Sequence, residues 1–254
     1  MDNIVEIRNL KKSFGTKSIL NDLSFNIPRG KISFIIGRSG EGKSVTIKHI
    51  IGILKPDSGE IIIDNIPMHH ANESTWEKMR LKIGILFQDG ALFDSLSVFE
   101  NIAFPIINCL TLSEHEVRQK VEQLLASVGL SKIGNKYPTE ISIGEKKRVG
   151  LARALALDPK LLLYDEPTTS MDPIVADLID TLIKVTQEKT PGLTTVVISH
   201  DVVSMMKVAE YIFLLHQGRV YFQGSPQDFQ NSQDALVKQF LNGDLHGPLD
   251  VPLV

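Results

Sequence analysis

Cysteine is almost absent from this sequence of 254 residues. Cys109 is the single one, so no disulfide can form within the chain, as is typical of a reducing compartment. No stretch approaches the ~20 consecutive apolar residues that cross a membrane. The first residues also lack the charged and apolar regions of a secretory signal. We therefore expect a chain that is soluble by itself and meets a membrane only through a partner.

An excess of positive charge is missing as well. The sequence has 27 Lys and Arg against 30 Asp and Glu, a formal net charge of −3. Such a chain has no general basic field that would attract nucleic acid, so we expect no nucleic-acid partner. Hydrophobic residues make up 43% of the sequence, which suffices for the core of one or two domains.

The motif around which the chain is organised lies between residues 37 and 44. An apolar run at 31–36 precedes it and predicts a buried strand, while the spacing of apolar residues at 45–51 predicts a helix. A strand, a glycine-rich loop and a helix in this order form a phosphate site, because the loop amides and the helix N-terminus face one anion. The motif has the pattern G-x-x-x-x-G-K-[ST] and is Gly37-Arg38-Ser39-Gly40-Glu41-Gly42-Lys43-Ser44. Lys43 is expected to reach the β- and γ-phosphates, and the Ser44 hydroxyl to ligate Mg²⁺.

A pair of acidic residues follows a second apolar strand, predicted at 160–164. Asp165 and Glu166 stand where that strand ends, the edge at which ligands bind parallel sheets. Asp165 is placed to hold Mg²⁺ through water, opposite Ser44. Glu166 is placed to polarise the attacking water as a general base. An acidic pair that merely begins a loop is the alternative, and the intact phosphate loop argues against it.

With these two motifs, the sequence resembles the ATP-binding-cassette (ABC) ATPases from about Ile4 to Phe240. The resemblance implies that Phe14 stacks on adenine, although packing is an alternative for a loop phenylalanine. It also implies that Gln88 senses Mg²⁺ and water, and that His200 contacts the γ-phosphate. Two further stretches match the family's signature motif and the loop that crosses its dimer interface: Tyr137-Pro138-Thr139-Glu140-Ile141-Ser142-Ile143-Gly144-Glu145 and Thr169-Ser170-Met171-Asp172.

The signature stretch implies a homodimer. Ser142 and Gly144 precede a predicted helix, so a hydroxyl, amides and a helix N-terminus form a second anion site. In the family this site serves the ATP held by the partner chain, so each ATP lies between two chains. Ile143 stands where the usual Ser-Gly-Gly-Gln pattern of the family has its first glycine. The difference matters because glycine permits an unusual φ and a close approach of the backbone. This departure puts in question the closeness of the dimer or its rate of hydrolysis, not the family.

The fold class that the resemblance implies is α/β. It is a P-loop NTPase core with a parallel sheet, an antiparallel β subdomain and an inserted helical subdomain at about 89–157. Capping-box spacings at Ser97 to Glu100 and Ser113 to Glu116 predict helices within this insertion. We place the ATPase domain at 1–241 and an irregular tail at 242–254. The apolar residues of that tail are predicted to brace the dimer or a partner: Leu245, Pro248, Leu249, Val251 and Leu253.

The stretch after Gln88 carries information on the type of ATPase. Residues 89–105 and the tail resemble the MlaF-type ATPases of MCE-linked phospholipid transporters. This implies a peripheral subunit on the cytoplasmic face of a bacterial inner membrane, which binds ATP and Mg²⁺ and couples hydrolysis to an integral permease. The apolar residues at 91–99 are expected to divide between the core and a groove for a permease helix. An ATPase for a polar solute such as an amino acid, and a non-transport ABC ATPase, are the alternatives.

Overall fold

The computed structural model describes residues 2–249, which form two β-sheets with helices packed against them. The strands are β1 (Asn3–Phe14), β2 (Lys17–Pro28), β3 (Ile32–Ile36), β4 (Ser58–Ile63), β5 (Ile66–Pro67), β6 (Ile83–Leu86), β7 (Leu161–Asp165), β8 (Thr194–Ser199), β9 (Tyr211–His216) and β10 (Arg219–Gly224). The helices are α1 (Lys43–Ile50), α2 (Glu73–Arg80), α3 (Val98–Cys109), α4 (Glu114–Ser127), α5 (Ile143–Ala154), α6 (Pro173–Lys189), α7 (Val202–Val208), α8 (Pro226–Gln230) and α9 (Ala235–Asn242). A short 3₁₀ turn, Pro138–Glu140, precedes α5.

A six-stranded sheet forms the centre of the fold, in the order β10-β9-β3-β8-β7-β6. Its strands pair in parallel except for the hairpin of β9 and β10. All five residues of β3 are buried, because the sheet is covered on both faces and apolar side chains suit both. Phe34 and Ile36 pack into the core on the helical side, and Ile35 packs into the core on the other side.

The second sheet is antiparallel and has the order β2-β1-β4-β5. Its apolar face shares one core with α1 and the central sheet, where Ile7, Ile35 and Ile47 meet. The alternation of apolar and polar residues in β1 and β2 is thus the pattern of a sheet covered on one face. The predicted α/β fold, with its parallel sheet and antiparallel β part, is confirmed.

Helices α3, α4 and α5 occupy the chain between β6 and β7. Both predicted capping boxes are present: the Ser97 hydroxyl caps α3 with Glu100, and the Ser113 hydroxyl caps α4 with Glu116. These caps satisfy amides that a helix start leaves free. The helices fill the region predicted as an insertion; the boundaries of the domain, the insertion and the tail stay predictions.

The C-terminal region adds α8 and α9 to the helical side. After Gly243 the chain has no helix or strand up to Leu249, whose side chain is buried in the helical core. The buried amide of Gln239 holds this segment: it donates to the Asp244 and Leu249 carbonyls and accepts from the Leu249 amide. Leu245 is exposed, and Val251 and Leu253 lie outside the described residues. Among residues 2–249, no helix is long and apolar enough to cross a membrane.

Candidate nucleotide site

The glycine-rich loop joins the end of β3 to α1, as predicted. Gly42 precedes the helix with φ 94°, a conformation that favours glycine. A Cβ at Gly42 would lie 2.5 Å from the Leu20 side chain, and one at Gly37 would lie 2.7 Å from the Leu215 carbonyl. The loop therefore curls between two strands in a way that other residues would obstruct.

Lys43 projects from the first turn of α1 back across this loop. Its Nζ donates to the Gly37 carbonyl at 2.7 Å and to the Arg38 carbonyl at 3.1 Å. Burial lowers the pKa of Lys43, and the negative charges of Glu166, Glu41 and Asp165 oppose that shift. A buried cation fixed over a loop of amides is an arrangement suited to phosphate.

Ser44 and Asp165 face each other where α1 and β7 meet. The Ser44 hydroxyl donates to Oδ1 of Asp165 at 3.2 Å. Burial raises the pKa of Asp165, with the Ser44 hydrogen bond opposing that shift. A hydroxyl and a carboxylate oxygen are hard ligands, and Mg²⁺ in nucleotide sites takes few protein ligands because it keeps waters and phosphate oxygens. These residues fit Mg²⁺.

Glu166 directly follows Asp165 in the chain and has a left-handed backbone conformation with φ 53°. Its Oε2 accepts a hydrogen bond from the Thr169 hydroxyl at 2.9 Å and lies 2.7 Å from Nδ1 of His200. Its Oε1 lies 4.0 Å from Nζ of Lys43. Non-glycine residues in this conformation are strained and concentrate at functional sites. The carboxylate is therefore held in place by its neighbours.

An open cavity of about 500 Å³ connects these groups. The predicted residues that line it are Phe14, Ser39, Gly40, Gly42, Lys43, Ser44, Gln88, Glu166 and His200. Phe14 is half exposed at the cavity's edge, so packing alone does not account for it. Glu41 instead turns its carboxylate to the β9–β10 hairpin, where it accepts from the Gln217 amide and lies 3.3 Å from Nδ1 of His216.

Ser142 and Gly144 are not among the residues that line this cavity. Ser142 caps α5, and its hydroxyl and amide bond to Glu145. Ile143 occupies the first turn of that helix with 60% of its surface exposed and without a positive φ. The expectation that this position needs glycine for an unusual φ is therefore not met in this chain. Any effect of Ile143 must come from the bulk of its exposed side chain.

The contacts of two residues in this region were not predicted from the sequence. Thr169 orients Glu166, and Lys147 of α5 donates to the carbonyls of the loop that follows Glu166. Thr169 stands within the matched loop motif, so the spacing to Glu166 was an available signal. Nothing in the sequence marks Lys147, because both of its partners are backbone atoms.

A parallel sheet, a phosphate loop at the start of α1 and a carboxylate pair at the end of β7 define a P-loop ATPase. The sequence profile of the ABC transporter family matches residues 20–169. Together with the relatives below, this match shows that the chain belongs to the ABC transporter family, as one of its ATP-hydrolysing proteins.

The relatives cover nearly the whole chain. One is the Haemophilus influenzae "Intermembrane phospholipid transport system ATP-binding protein MlaF", 39% identical over 97% of this chain and 93% of that protein. Another is the Mycobacterium tuberculosis "Probable ribonucleotide transport ATP-binding protein mkl", 38% identical over 96% of this chain and 68% of that protein. Among solved structures, the dimeric cassette MJ0796, in a post-hydrolysis state with ADP and Pi, matches with a TM-score of 0.80. That match has 32% identity and covers 87% of this chain and 98% of that one.

Proposed function

We propose that this chain is the ATP-hydrolysing subunit of a membrane ABC transporter that moves phospholipid together with an MCE-linked permease. The observation that carries the proposal is the similarity to MlaF of Haemophilus influenzae over 97% of this chain, combined with a cavity that nine of the predicted site residues line. The chain would sit on the cytoplasmic face of a bacterial inner membrane and touch the membrane through the permease alone.

Within this proposal each site residue has a role. The amides of residues 37–44 and the Lys43 ammonium bind the phosphates, and Phe14 stacks on adenine. Ser44, Asp165 and Gln88 hold Mg²⁺, which neutralises charge that develops on the phosphates. Glu166 accepts the proton of the attacking water. His200, which already contacts Glu166, positions the γ-phosphate.

The second half of each ATP site would come from a partner copy of the chain. Ser142 and Gly144 start α5 outside the cavity that holds Lys43, so one chain presents the two halves separately. The exposed Ser142 hydroxyl and the helix start can bind phosphate on another molecule. The dimeric state of the similar cassette MJ0796 supports this arrangement.

An apolar groove beside Gln88 is the proposed docking place of the permease. It has a volume of about 360 Å³ and is lined by Ile83, Gly84, Ile85, Phe87, Ala91, Phe93, Phe104, Pro105, Arg153, Ala154, Leu157 and Pro159. Phe93 and Phe104 stand with ring centroids 5.0 Å apart, and each is 45% exposed. Of the other apolar residues predicted here, Val98 is fully buried in the core. Exposed aromatic rings in a groove suit a short amphipathic helix.

The test compares Phe93→Asp with Ile66→Asp, a matched change at an exposed apolar residue of β5, in the other sheet. The tagged chain is purified from membranes of its own host, and the complex is reconstituted in vesicles. We expect ATP-dependent phospholipid transfer with the wild type and with Ile66→Asp. Phe93→Asp should bind ATP normally but lose both the permease and lipid transfer. A folded Phe93→Asp protein with intact transfer would refute the groove as the docking place.

Transport of a polar solute is the second candidate, favoured by the similarity to the mycobacterial protein mkl. The same vesicles distinguish the two functions, because uptake of a labelled ribonucleotide or amino acid is measured beside phospholipid transfer. Solute uptake without lipid transfer would replace the phospholipid proposal and leave the ATPase assignment intact.

A further inference from the structure

Lys147 is a lysine of α5 that is buried beside the catalytic loop. Only 2% of its surface is exposed. Its Nζ donates to the Pro167 carbonyl at 2.6 Å and to the Thr169 carbonyl at 3.0 Å. The side chain thus fastens α5 to the three residues that follow Glu166.

Burying the Lys147 ammonium costs solvation free energy, and losing its two hydrogen bonds would leave the buried charge without acceptors. Burial lowers the pKa of Lys147, and the more distant carboxylates of Asp89 and Glu166 oppose that shift. A desolvated ammonium must recover its lost hydration through hydrogen bonds. Because both acceptors lie in residues 167–169, the position of this loop depends on Lys147.

The loop in turn controls the proposed general base. Thr169 offers its carbonyl to Lys147 and its hydroxyl to Oε2 of Glu166, at 2.9 Å. Glu166 itself has the strained φ of 53° that its surroundings must maintain. A displacement of Thr169 would therefore reach the carboxylate directly.

The C-terminal end of α5 contacts the groove. Nη2 of Arg153 donates to the Gly90 carbonyl at 3.0 Å, and its guanidinium lies 5.8 Å from the centre of the Phe93 ring. Gly150 lets the helix approach the same segment closely, since a Cβ there would lie 3.1 Å from the Gly90 carbonyl. Six residues, about 9 Å of helix, therefore separate the attachment of α5 to the loop after Glu166 from its contacts with the groove.

We propose that Lys147 is a positioning residue for Glu166, through which α5 couples the Phe93 groove to the geometry of ATP hydrolysis. The inference rests on the proposed roles of Glu166 as the base and of the groove as the docking place. Lys147 acts on the orientation of the carboxylate and not on ATP binding, since it does not line the nucleotide cavity.

The test is a comparison of Lys147→Met with Lys146→Met in the full-length protein. Methionine keeps the apolar stem and removes the two hydrogen bonds, and Lys146 is the adjacent, less buried lysine of the same helix. We expect Lys147→Met to lower kcat about ten- to a hundredfold, as misplacement of a reacting group does, with ATP affinity changed less than about twofold. Lys146→Met should stay within about twofold of the wild type, and Lys147→Arg should restore most of the rate.

A double-mutant cycle with Thr169→Val supplies a second, independent readout. Valine removes the hydroxyl that contacts Glu166, whereas the Thr169 carbonyl remains for Lys147. We expect Thr169→Val to lower kcat, Thr169→Ser to preserve it, and Lys147→Met to add little to Thr169→Val, because both changes act on one carboxylate. If Lys147→Met does not fold, the kcat values of Lys147→Arg, Thr169→Val and Thr169→Ser test the proposal in its place.

The proposal falls if Lys147→Met hydrolyses ATP within about twofold of the wild type, or if it loses rate and ATP affinity together. It also falls if Thr169→Val leaves kcat unchanged, or if the two changes multiply fully. The variant Glu166→Gln separates this failure from a failure of the proposed function. If Glu166→Gln hydrolyses ATP rapidly, Glu166 is not the general base. An inactive Glu166→Gln beside an active Lys147→Met would remove the positioning role alone.

Discussion

The carboxylate of Glu166 is shared among three neighbours. The Thr169 hydroxyl and Nδ1 of His200 contact one oxygen, while Nζ of Lys43 lies 4.0 Å from the other. The backbone amide of Glu166 also donates to the Ile198 carbonyl of β8 at 2.9 Å. The proposed role of Glu166 as general base needs a fixed carboxylate, and these contacts fix it.

We predict that Glu166→Gln binds ATP with normal affinity and hydrolyses it about 10²–10⁴-fold more slowly. The amide keeps the shape of the side chain and can still accept from Thr169, but it cannot take the proton of water. Steady-state hydrolysis and equilibrium ATP titration of the same preparation provide the measurement. Near-normal turnover would remove Glu166 from the role of base.

Lys43→Ala is predicted to act on binding itself. Hydrogen bonds to charged groups contribute about 1.5–3 kcal/mol, so ATP affinity should fall roughly ten- to a hundredfold. Lys48→Ala is the matched control, because Lys48 is exposed on the same helix. Equal ATP affinities of wild type, Lys43→Ala and Lys48→Ala would show that Lys43 does not hold phosphate.

Residues whose chemistry is visible in sequence were predictable, and residues that act through backbone atoms were not. Lys43, Ser44, Gln88, Asp165 and Glu166 stand in short motifs at strand ends, and the fold brings them together as predicted. Lys147 is separated from Pro167 by twenty residues and contacts only its carbonyl and that of Thr169. Such a contact requires the packing of α5 on the loop, which no local pattern specifies.

At the scale of elements, the strands and the long helices could be predicted from the periodicity of apolar residues and from capping residues. Asp172 followed by Pro173 is a pair typical of a helix start, and the Asp172 side chain accepts from the amides of Ile174 and Val175 at the start of α6. The hairpin of β9 and β10 turns at Gln217-Gly218, where a glycine between two apolar runs is a typical hairpin signal. Helices α8 and α9 were not predicted, although capping residues stand at their starts, Ser225 before α8 and Asp234 before α9.

Helices α6 and α7 are joined by a buried polar contact close to His200. The Ser204 hydroxyl of α7 donates to Oδ1 of Asp180 in α6, and both residues are almost completely buried. Asp201, the residue after His200, caps α7. The contact therefore fixes the helix that follows the histidine.

This contact gives a prediction for the dependence of stability on pH. Burial raises the pKa of Asp180, so the folded protein binds the proton more tightly than the unfolded chain does. The stability contributed by this proton is present at low pH and is lost as the pH rises through the raised pKa. Asp180→Asn removes the charge and keeps an oxygen for Ser204.

We therefore expect Asp180→Asn to raise the unfolding temperature at pH 7.5 by about 2–4 °C, the shift that ~1 kcal/mol produces in a chain of this size. The difference should shrink as the pH falls through the raised pKa. Thermal unfolding of both proteins from pH 7.5 down to the acid limit of folding measures it. A difference that does not change with pH would contradict the assignment to the Asp180 charge.

At the scale of the whole molecule, the two halves of the proposed composite ATP site stand at separate places on one chain. The loop amides, Lys43 and Glu166 line the nucleotide cavity, whereas Ser142 starts a helix outside it. The sequence pattern predicted this division only through the family resemblance, since no local feature states how far apart two motifs will lie. Under the proposal, a complete site requires a second chain.

A second feature at this scale is how the C-terminal segment, residues 244–249, is attached to the rest of the chain. The buried amide of Gln239 fastens Leu249 into the core of its own chain, next to α8 and α9. The prediction that the tail braces a dimer or partner stays a prediction for Leu245 and Pro248, which are both exposed. Its irregular backbone was predictable from glycine and proline, but its attachment through one glutamine was not.

Nucleotide-dependent association of Glu166→Gln measures the central claim, that two copies of this chain close around ATP. Sedimentation velocity is recorded with and without ATP and Mg²⁺, and with Lys43→Ala/Glu166→Gln as the variant that cannot hold phosphate. We predict a dimer of Glu166→Gln with ATP and Mg²⁺, a monomer without nucleotide, and a monomer of the double variant under both conditions. A wild-type protein that hydrolyses ATP while both it and Glu166→Gln remain monomeric at every nucleotide concentration would contradict the account.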